Sequence, residues 1–188
     1  GCGAGYSISL LAAQFGPKQV CGVDVSPNLC EIARERNPGV VIQEMDISKF
    51  GAAGAAKTSD RVDIVVVMDV YEHILPSRRV HFWGNISMAL DDRWFVYLAY
   101  PSGPGEHPQI TDYTVMLSDI LVMAEAQGLF PYSFEMIDLW RPCGYRVLVL
   151  HRGLCPEART PSFGQEIAQG DGIILKTGLP AGLGAAGV

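Results

Sequence analysis

The chain has 188 residues, 48% hydrophobic and 18% charged, and its 14 Lys and Arg against 20 Asp and Glu leave a net charge of −6. That length suits one domain with a sizeable core, and an acidic balance without a basic stripe argues against nucleic acid as a partner. No apolar stretch reaches ~18 residues, so no membrane span is predicted and a cytoplasmic location is expected. The five cysteines (Cys2, Cys21, Cys30, Cys143 and Cys155) are odd in number and lack C-x-x-C spacing. That favours free thiols in a reducing compartment over a disulfide framework or a zinc site.

Gly1-Cys2-Gly3-Ala4-Gly5 is a glycine-rich loop. It has no strand ahead of it, so the sequence reads as a fragment lacking its most central strand, less stable than a longer chain. Ile8, Leu11, Ala12 and Phe15 repeat at helical spacing until Gly16-Pro17 stops them. Val20 to Val23 is a short buried-strand run ending in Asp24, nineteen positions beyond Gly5. Ser26 caps and Pro27 opens a second helix with Leu29, Ile32, Ala33 and Arg36 on its inner face. Asn37-Pro38-Gly39 breaks it, and Val40 to Ile42 starts a third segment of strand leading to Asp46. Gly51 to Lys57 is a small-residue loop, and Val62 to Met68 has the look of a central strand.

Past Pro76 and Ser77, the stripe Val80, Trp83, Ile86 and Leu90 predicts a helix, and Trp94 to Tyr100 a strand. Pro101 to Pro108 is a Pro- and Gly-rich loop, and Tyr113 to Ala124 carries a strong amphipathic pattern ended by Gly128. Ser133 to Leu139 and Tyr145 to Leu150 flank an Arg141 to Gly144 turn and predict an antiparallel edge hairpin. Residues 1–151 read as one α/β domain. From 152 to 188 the pattern dissolves, and eight glycines between Gly153 and Gly187 suggest a flexible tail or a linker, leaving room for further domains.

A glycine loop followed by a strand-end acid is how an open α/β sheet holds an adenosine-bearing cofactor. The dinucleotide fingerprint wants Gly or Ala where Tyr6 stands, so the pattern favours a ligand without a diphosphate. Four segments in order then carry a resemblance: Gly1 to Gly5, Gly22 to Pro27, Glu44-Met45-Asp46-Ile47, and Met68-Asp69-Val70-Tyr71-Glu72-His73-Ile74. Over residues 1–151 the chain resembles class I S-adenosylmethionine-dependent methyltransferases, in particular the small-molecule branch of ubiquinone-type O-methyltransferases.

The resemblance implies a Rossmann-like, mostly parallel seven-stranded sheet with helices on both faces and a C-terminal antiparallel hairpin, here without its first strand. It implies S-adenosyl-L-methionine as cofactor and a small-molecule acceptor, methylated on oxygen or nitrogen, with no metal. Gly1, Gly3 and Gly5 would line the methionine part. Asp24, with Val25 beside it, would accept from the ribose hydroxyls, since an ionised carboxylate only accepts. Asp46 would accept from the adenine amino group with Ile47 against the ring, and the Met68 carbonyl would lie near the cofactor's ammonium.

The acceptor side would combine Tyr71 and His73 with Glu106 and His107 of the loop Pro101 to Ile110, His73 and His107 being the candidate proton acceptors. Each also has a plain reading as a capping, packing or loop residue, and His81 and His151 have only that one. Trp83 reads as core, and Trp94 and Trp140 as wall or core. Three other readings stay open: an NAD(P)-dependent oxidoreductase, a non-catalytic binding domain of the same fold, and a methyltransferase module of a larger multidomain enzyme.

Overall fold

The computed structural model describes residues 1–49, 51, 61–102, 113–138 and 144–152, with backbone only at 92–94. Contacts divide the chain into Gly1–Gly153 and Leu154–Val188, and the second unit lies outside the described residues. So do most of the loop Gly51 to Lys57, the loop after Ser102, the hairpin turn, Trp140 and the side chain of Trp94.

In chain order the first unit runs α1 (Tyr6–Phe15), β1 (Cys21–Asp24), α2 (Pro27–Arg36), β2 (Val41–Glu44), β3 (Val62–Met68), α3 (Arg79–Ala89), β4 (Leu90–Pro101), α4 (Leu117–Glu125), β5 (Leu129–Ile137) and β6 (Tyr145–Arg152). The fold is α/β with both parallel and antiparallel strand pairs. β1 and β2 form a parallel pair, and a second sheet has the order β3-β4-β6-β5. Within it β3 and β4 are parallel, while β6 runs antiparallel to both β4 and β5.

Local chemistry sets the element ends. Gly16 takes φ 89° and donates its N–H to the Ala12 carbonyl, closing α1 before Pro17. The Ser26 side chain accepts from the Leu29 N–H at 3.4 Å with Pro27 in the first turn of α2. The buried face of α2, however, is Cys30 and Ala33, both 0% exposed, while Leu29 and Ile32 face outward. Size decides this: only small side chains let α2 lie close against Asp24 and Gln43, whose carbonyls sit 3.6 Å from Cys30 Sγ. A second correction falls on α3, where Val80 is exposed and Arg79, Phe82, Trp83 and Ile86 are buried. α4 also starts later than its apolar pattern, because Met116 is extended and the Tyr113 N–H is spent on the Glu72 carbonyl at 2.8 Å.

β4 separates two packed faces by its alternation. Val96, Leu98 and Tyr100 join Leu148 and Leu150 of β6 under Phe82, Trp83, Ile86, Ile120 and Ala124 of the helices. Ala99 faces the other way, onto Tyr145 and Val147. Tyr71, Phe82 and Trp83 form an aromatic knot with centroids 5.3–5.7 Å apart, and Trp83 Nε1 donates to the Tyr71 hydroxyl at 3.0 Å. Trp83→Ala should lower stability by ~3–5 kcal/mol in urea denaturation. A loss below ~1 kcal/mol would place Trp83 outside the core.

Candidate cofactor site

The glycine loop is tied down at the tip of β1. Cys2 donates its N–H to the Val23 carbonyl and Gly5 donates to the Cys2 carbonyl. The Asp24 carboxylate is buried and accepts at both oxygens, from the Gly3 N–H at 2.8 Å and the Ser26 N–H at 2.9 Å. Gly5 has φ 81°, and a Cβ there would stand 3.1 Å from the Ala33 backbone and collide with the Asn37 amide. Buried Asn37 donates to the Gly5 and Ala33 carbonyls at 3.0 and 2.9 Å and accepts from Ser9 Oγ at 2.7 Å. Tyr6 escapes the tight packing expected at its position: it is exposed, with the Arg36 guanidinium 3.7 Å over its ring.

A cavity of about 250 Å³ opens at the carboxyl ends of β1, β2 and β3, lined among others by Gly1, Val25, Asp46, Ile47, Val70, His73 and Arg78. That is the edge at which open α/β sheets bind ligands, though the volume is below the ~300–1,000 Å³ of most small-molecule sites. Gly1 matters here because any Cβ would strike Val70 across the cavity floor. Asp46 closes a local turn: its Oδ1 accepts from the Ser48 N–H at 3.0 Å and from Ser48 Oγ at 2.6 Å. Its Oδ2 lies 3.5 Å from Arg78 Nη1. Buried Asn85 of α3 donates to the Ile47 and Lys49 carbonyls at 2.8 and 2.6 Å, fixing this loop from behind. Sequence reasoning misses both Arg78 and Asn85. The available signal was a polar Asn85 inside the apolar stripe of α3, where a buried amide has to find partners.

Of the sequence-derived site residues, Gly1, Val25, Asp46, Ile47 and His73 line this cavity. Gly3, Gly5 and Asp24 stand behind it in the loop network, and the Met68 side chain packs against Ala99, Tyr145 and Val147. Tyr71 is a correction. Its side chain is wholly buried, its hydroxyl serves Trp83, and burial pushes the phenol above its ordinary pKa, so it belongs to the core and not to the acceptor face. Glu106 and His107 lie outside the described residues. His151 is buried, its ring 6.1 Å from Phe130 and 6.2 Å from Tyr132, and neither it nor His81 borders the cavity.

Residues 1–93 match the methyltransferase-domain family. The trans-aconitate 2-methyltransferase of Methylobacterium nodulans is 40% identical over 165 residues, which takes in 82% of this chain and 62% of that relative's length. Among solved structures, magnesium protoporphyrin IX methyltransferase from Synechocystis PCC 6803 with bound SAM shares the fold at TM-score 0.61 and 20% identity, over 81% of this chain and 67% of the other. The N-methyltransferase NodS from Bradyrhizobium japonicum WM9 does so at TM-score 0.63 and 15% identity, over 81% and 82%. The fold, with a cavity at the strand ends beside a glycine loop, is similar to that of these methyltransferases. The family match takes in just under half of the chain, and the chain spans less than two thirds of the length of the trans-aconitate relative.

Gly5→Ala should cost about 2 kcal/mol or more, because overpacking adds to a left-handed backbone. Gly3→Ala, whose Cβ would meet nothing within 4 Å, should cost only ~1 kcal/mol. Equal melting of the two variants would mean that Gly5 is not clamped by Ala33 and Asn37.

Proposed function

We propose that this domain transfers the methyl group of S-adenosyl-L-methionine to an oxygen of a small, carboxylate-bearing acceptor. The observation that carries the cofactor assignment is that all four sequence motifs supply lining to one cavity, through Gly1, Val25, Asp46 with Ile47, and Val70 with His73. The residues present suit the group. Gly1, without a side chain, lets the loop backbone approach Val70 closely at the cavity lining. Asp24 has spent one acceptor site per oxygen on Gly3 and Ser26, and a carboxylate offers about four, so capacity remains for ribose hydroxyls. Val25, Ile47 and Leu75 line the cavity and would supply apolar walls for a purine, while Asp46 would accept from its amino group and the Met68 carbonyl would serve the ammonium.

When bound, the cofactor supplies an activated methyl on a sulfonium. What the chain then contributes is alignment and exclusion of water, an effect worth on the order of 7–11 kcal/mol in well-positioned systems. The acceptor class rests on the relative named for trans-aconitate, a tricarboxylate. A carboxylate is already ionised at neutral pH and attacks without a general base. His73 at the cavity wall, with Glu106 and His107 of the loop after β4, would then shape and orient the acceptor. A hydroxyl or ammonium acceptor would instead need one of these histidines as base. Among the described residues Cys2, Cys21 and Cys30 are free thiols, with pKa values raised chiefly by desolvation. No helix among the described residues is long and apolar enough to cross a membrane.

The same reading makes the two sheets flanks of one Rossmann-like sheet, with Cys2 donating to the Val23 carbonyl on one side and Gly1 against Val70 beyond β3 on the other.

Incubating the intact protein with S-adenosylmethionine and a panel of small acids, trans-aconitate included, should yield methyl esters detectable by mass. Transfer to hydroxyls or amines alone would overturn the carboxylate assignment. With a carboxylate acceptor the turnover of His73→Ala should keep the pH profile of the parent. Asp24→Ala should weaken S-adenosylhomocysteine binding about ten- to a hundredfold by calorimetry, as expected for losing ~1.5–3 kcal/mol of charge-assisted hydrogen bonding. Unchanged affinity would take Asp24 out of the site.

A further inference from the structure

β3 ends at Met68, and the next residue, Asp69, has φ 52°, the one non-glycine residue with positive φ among those described. A left-handed backbone is unfavourable for a residue with a Cβ, and it persists where neighbouring groups over-determine it. Two of those neighbours are clear. The Asp69 N–H donates to the Ala99 carbonyl of β4 at 3.2 Å. The Asp69 Oδ1 accepts from the Tyr145 hydroxyl at 2.8 Å. Tyr145 opens β6 and is 1% exposed, its ring packed with Ala99 and Val147, so the hydroxyl is held by a rigid sheet residue.

The turn at Asp69 sets the course of everything after it. Val70 lands against Gly1, and Val70, His73, Ile74 and Leu75 together make one wall of the cavity. The opposite side of the cavity comes from the other sheet, through Gly1, Val25 and Asp46. The width of the site therefore depends on the backbone angle at Asp69.

We propose that Tyr145 is a positioning residue for the cofactor cavity, acting from β6 through its hydroxyl to hold Asp69 left-handed and so place the Val70–Leu75 wall. Tyr145 is not among the residues that line the cavity, and its effect passes through the main chain at Asp69. The inference rests on reading this cavity as the S-adenosylmethionine site.

The test is calorimetric titration of the intact protein with S-adenosylhomocysteine, well below the melting point of each variant. Tyr145→Phe keeps the ring and deletes the donor, and it should weaken binding by about ten- to a hundredfold, the scale of a lost hydrogen bond to a charged group. Asp69→Ala and Asp69→Gly lose the same hydrogen bond, but only glycine adopts positive φ without help. Asp69→Ala should therefore bind as weakly as Tyr145→Phe or worse, while Asp69→Gly should bind several-fold tighter than Asp69→Ala. Asp69→Asn, which keeps an acceptor and tolerates the left-handed region, should rescue binding to within about threefold of the parent. A purely structural role would lower the melting temperature of Tyr145→Phe and leave its affinity unchanged, and that result overturns the proposal. Equal weakness of Asp69→Ala and Asp69→Gly overturns it as well, and decides the matter even if Tyr145→Phe does not fold. Failure of the parent protein to bind S-adenosylhomocysteine would sink the cofactor reading itself, a separate and recognisable outcome.

Discussion

The arrangement around the cavity depends on one buried carboxylate. Asp24 ends β1, and its two oxygens accept from Gly3 in the glycine loop and from Ser26 at the entry to α2. Three chain segments thus share one anion, whose hydrogen bonds are stronger than neutral ones and whose desolvation would be unfavourable without them. Fixing the loop and the helix start together also fixes what lies between them. Cys30 and Ala33 come down on the sheet, and Gly5 is pressed against Ala33. A side chain at Gly5 would force α2 off β1, so the glycine loop is constrained from beneath by packing as much as from above by any ligand.

The far walls of the cavity are held differently, and the strengths are unequal. The Asp46–Arg78 pair spans 3.5 Å with the arginine side chain 47% exposed, and such surface pairs contribute ~0–1 kcal/mol. Asn85 is buried and gives both amide hydrogens to carbonyls of the Ile47–Lys49 loop. Removing it would strand two acceptors, which costs more than losing a solvated ion pair. The loop after β2 is therefore anchored chiefly by Asn85, with the Asp46–Arg78 pair adding little.

Much of the fold was legible in the sequence because its boundaries rest on local chemistry. Gly16-Pro17 and Ser26-Pro27 can do little else than end and begin helices, and both do. Faces were harder to read than elements. The apolar content of Leu29, Ile32 and Val80 suggested inward positions, yet Cys30, Ala33 and Phe82 take them, since helix approach selects by size and shape that a hydrophobic pattern does not encode. Asp24 and Asp46 could be read as acids at strand ends, and of the two only Asp46 lines the cavity. Tyr71 could not be placed, because its partner Trp83 lies one element away and the pairing exists only after α3 packs. The φ of Asp69 was equally hidden, as nothing in Met68-Asp69-Val70 distinguishes a left-handed aspartate from an extended one.

The burial of Tyr71 bears on the proposed methyl transfer through the cavity wall that it supports. Methyl transfer asks for alignment, and alignment needs walls that do not yield. His73 sits on a short turn in which its N–H donates to the Val70 carbonyl and Ile74 donates to the Tyr71 carbonyl. Tyr71 in turn is locked between Phe82 and Trp83, and buried Arg79 lies 4.9 Å over its ring while donating to the Ile74 carbonyl. The wall bearing His73 is thus the outer surface of the aromatic core. A substitution that loosens Trp83 would shift this wall without touching any residue of the cavity, so stability and alignment are coupled here through the same side chains.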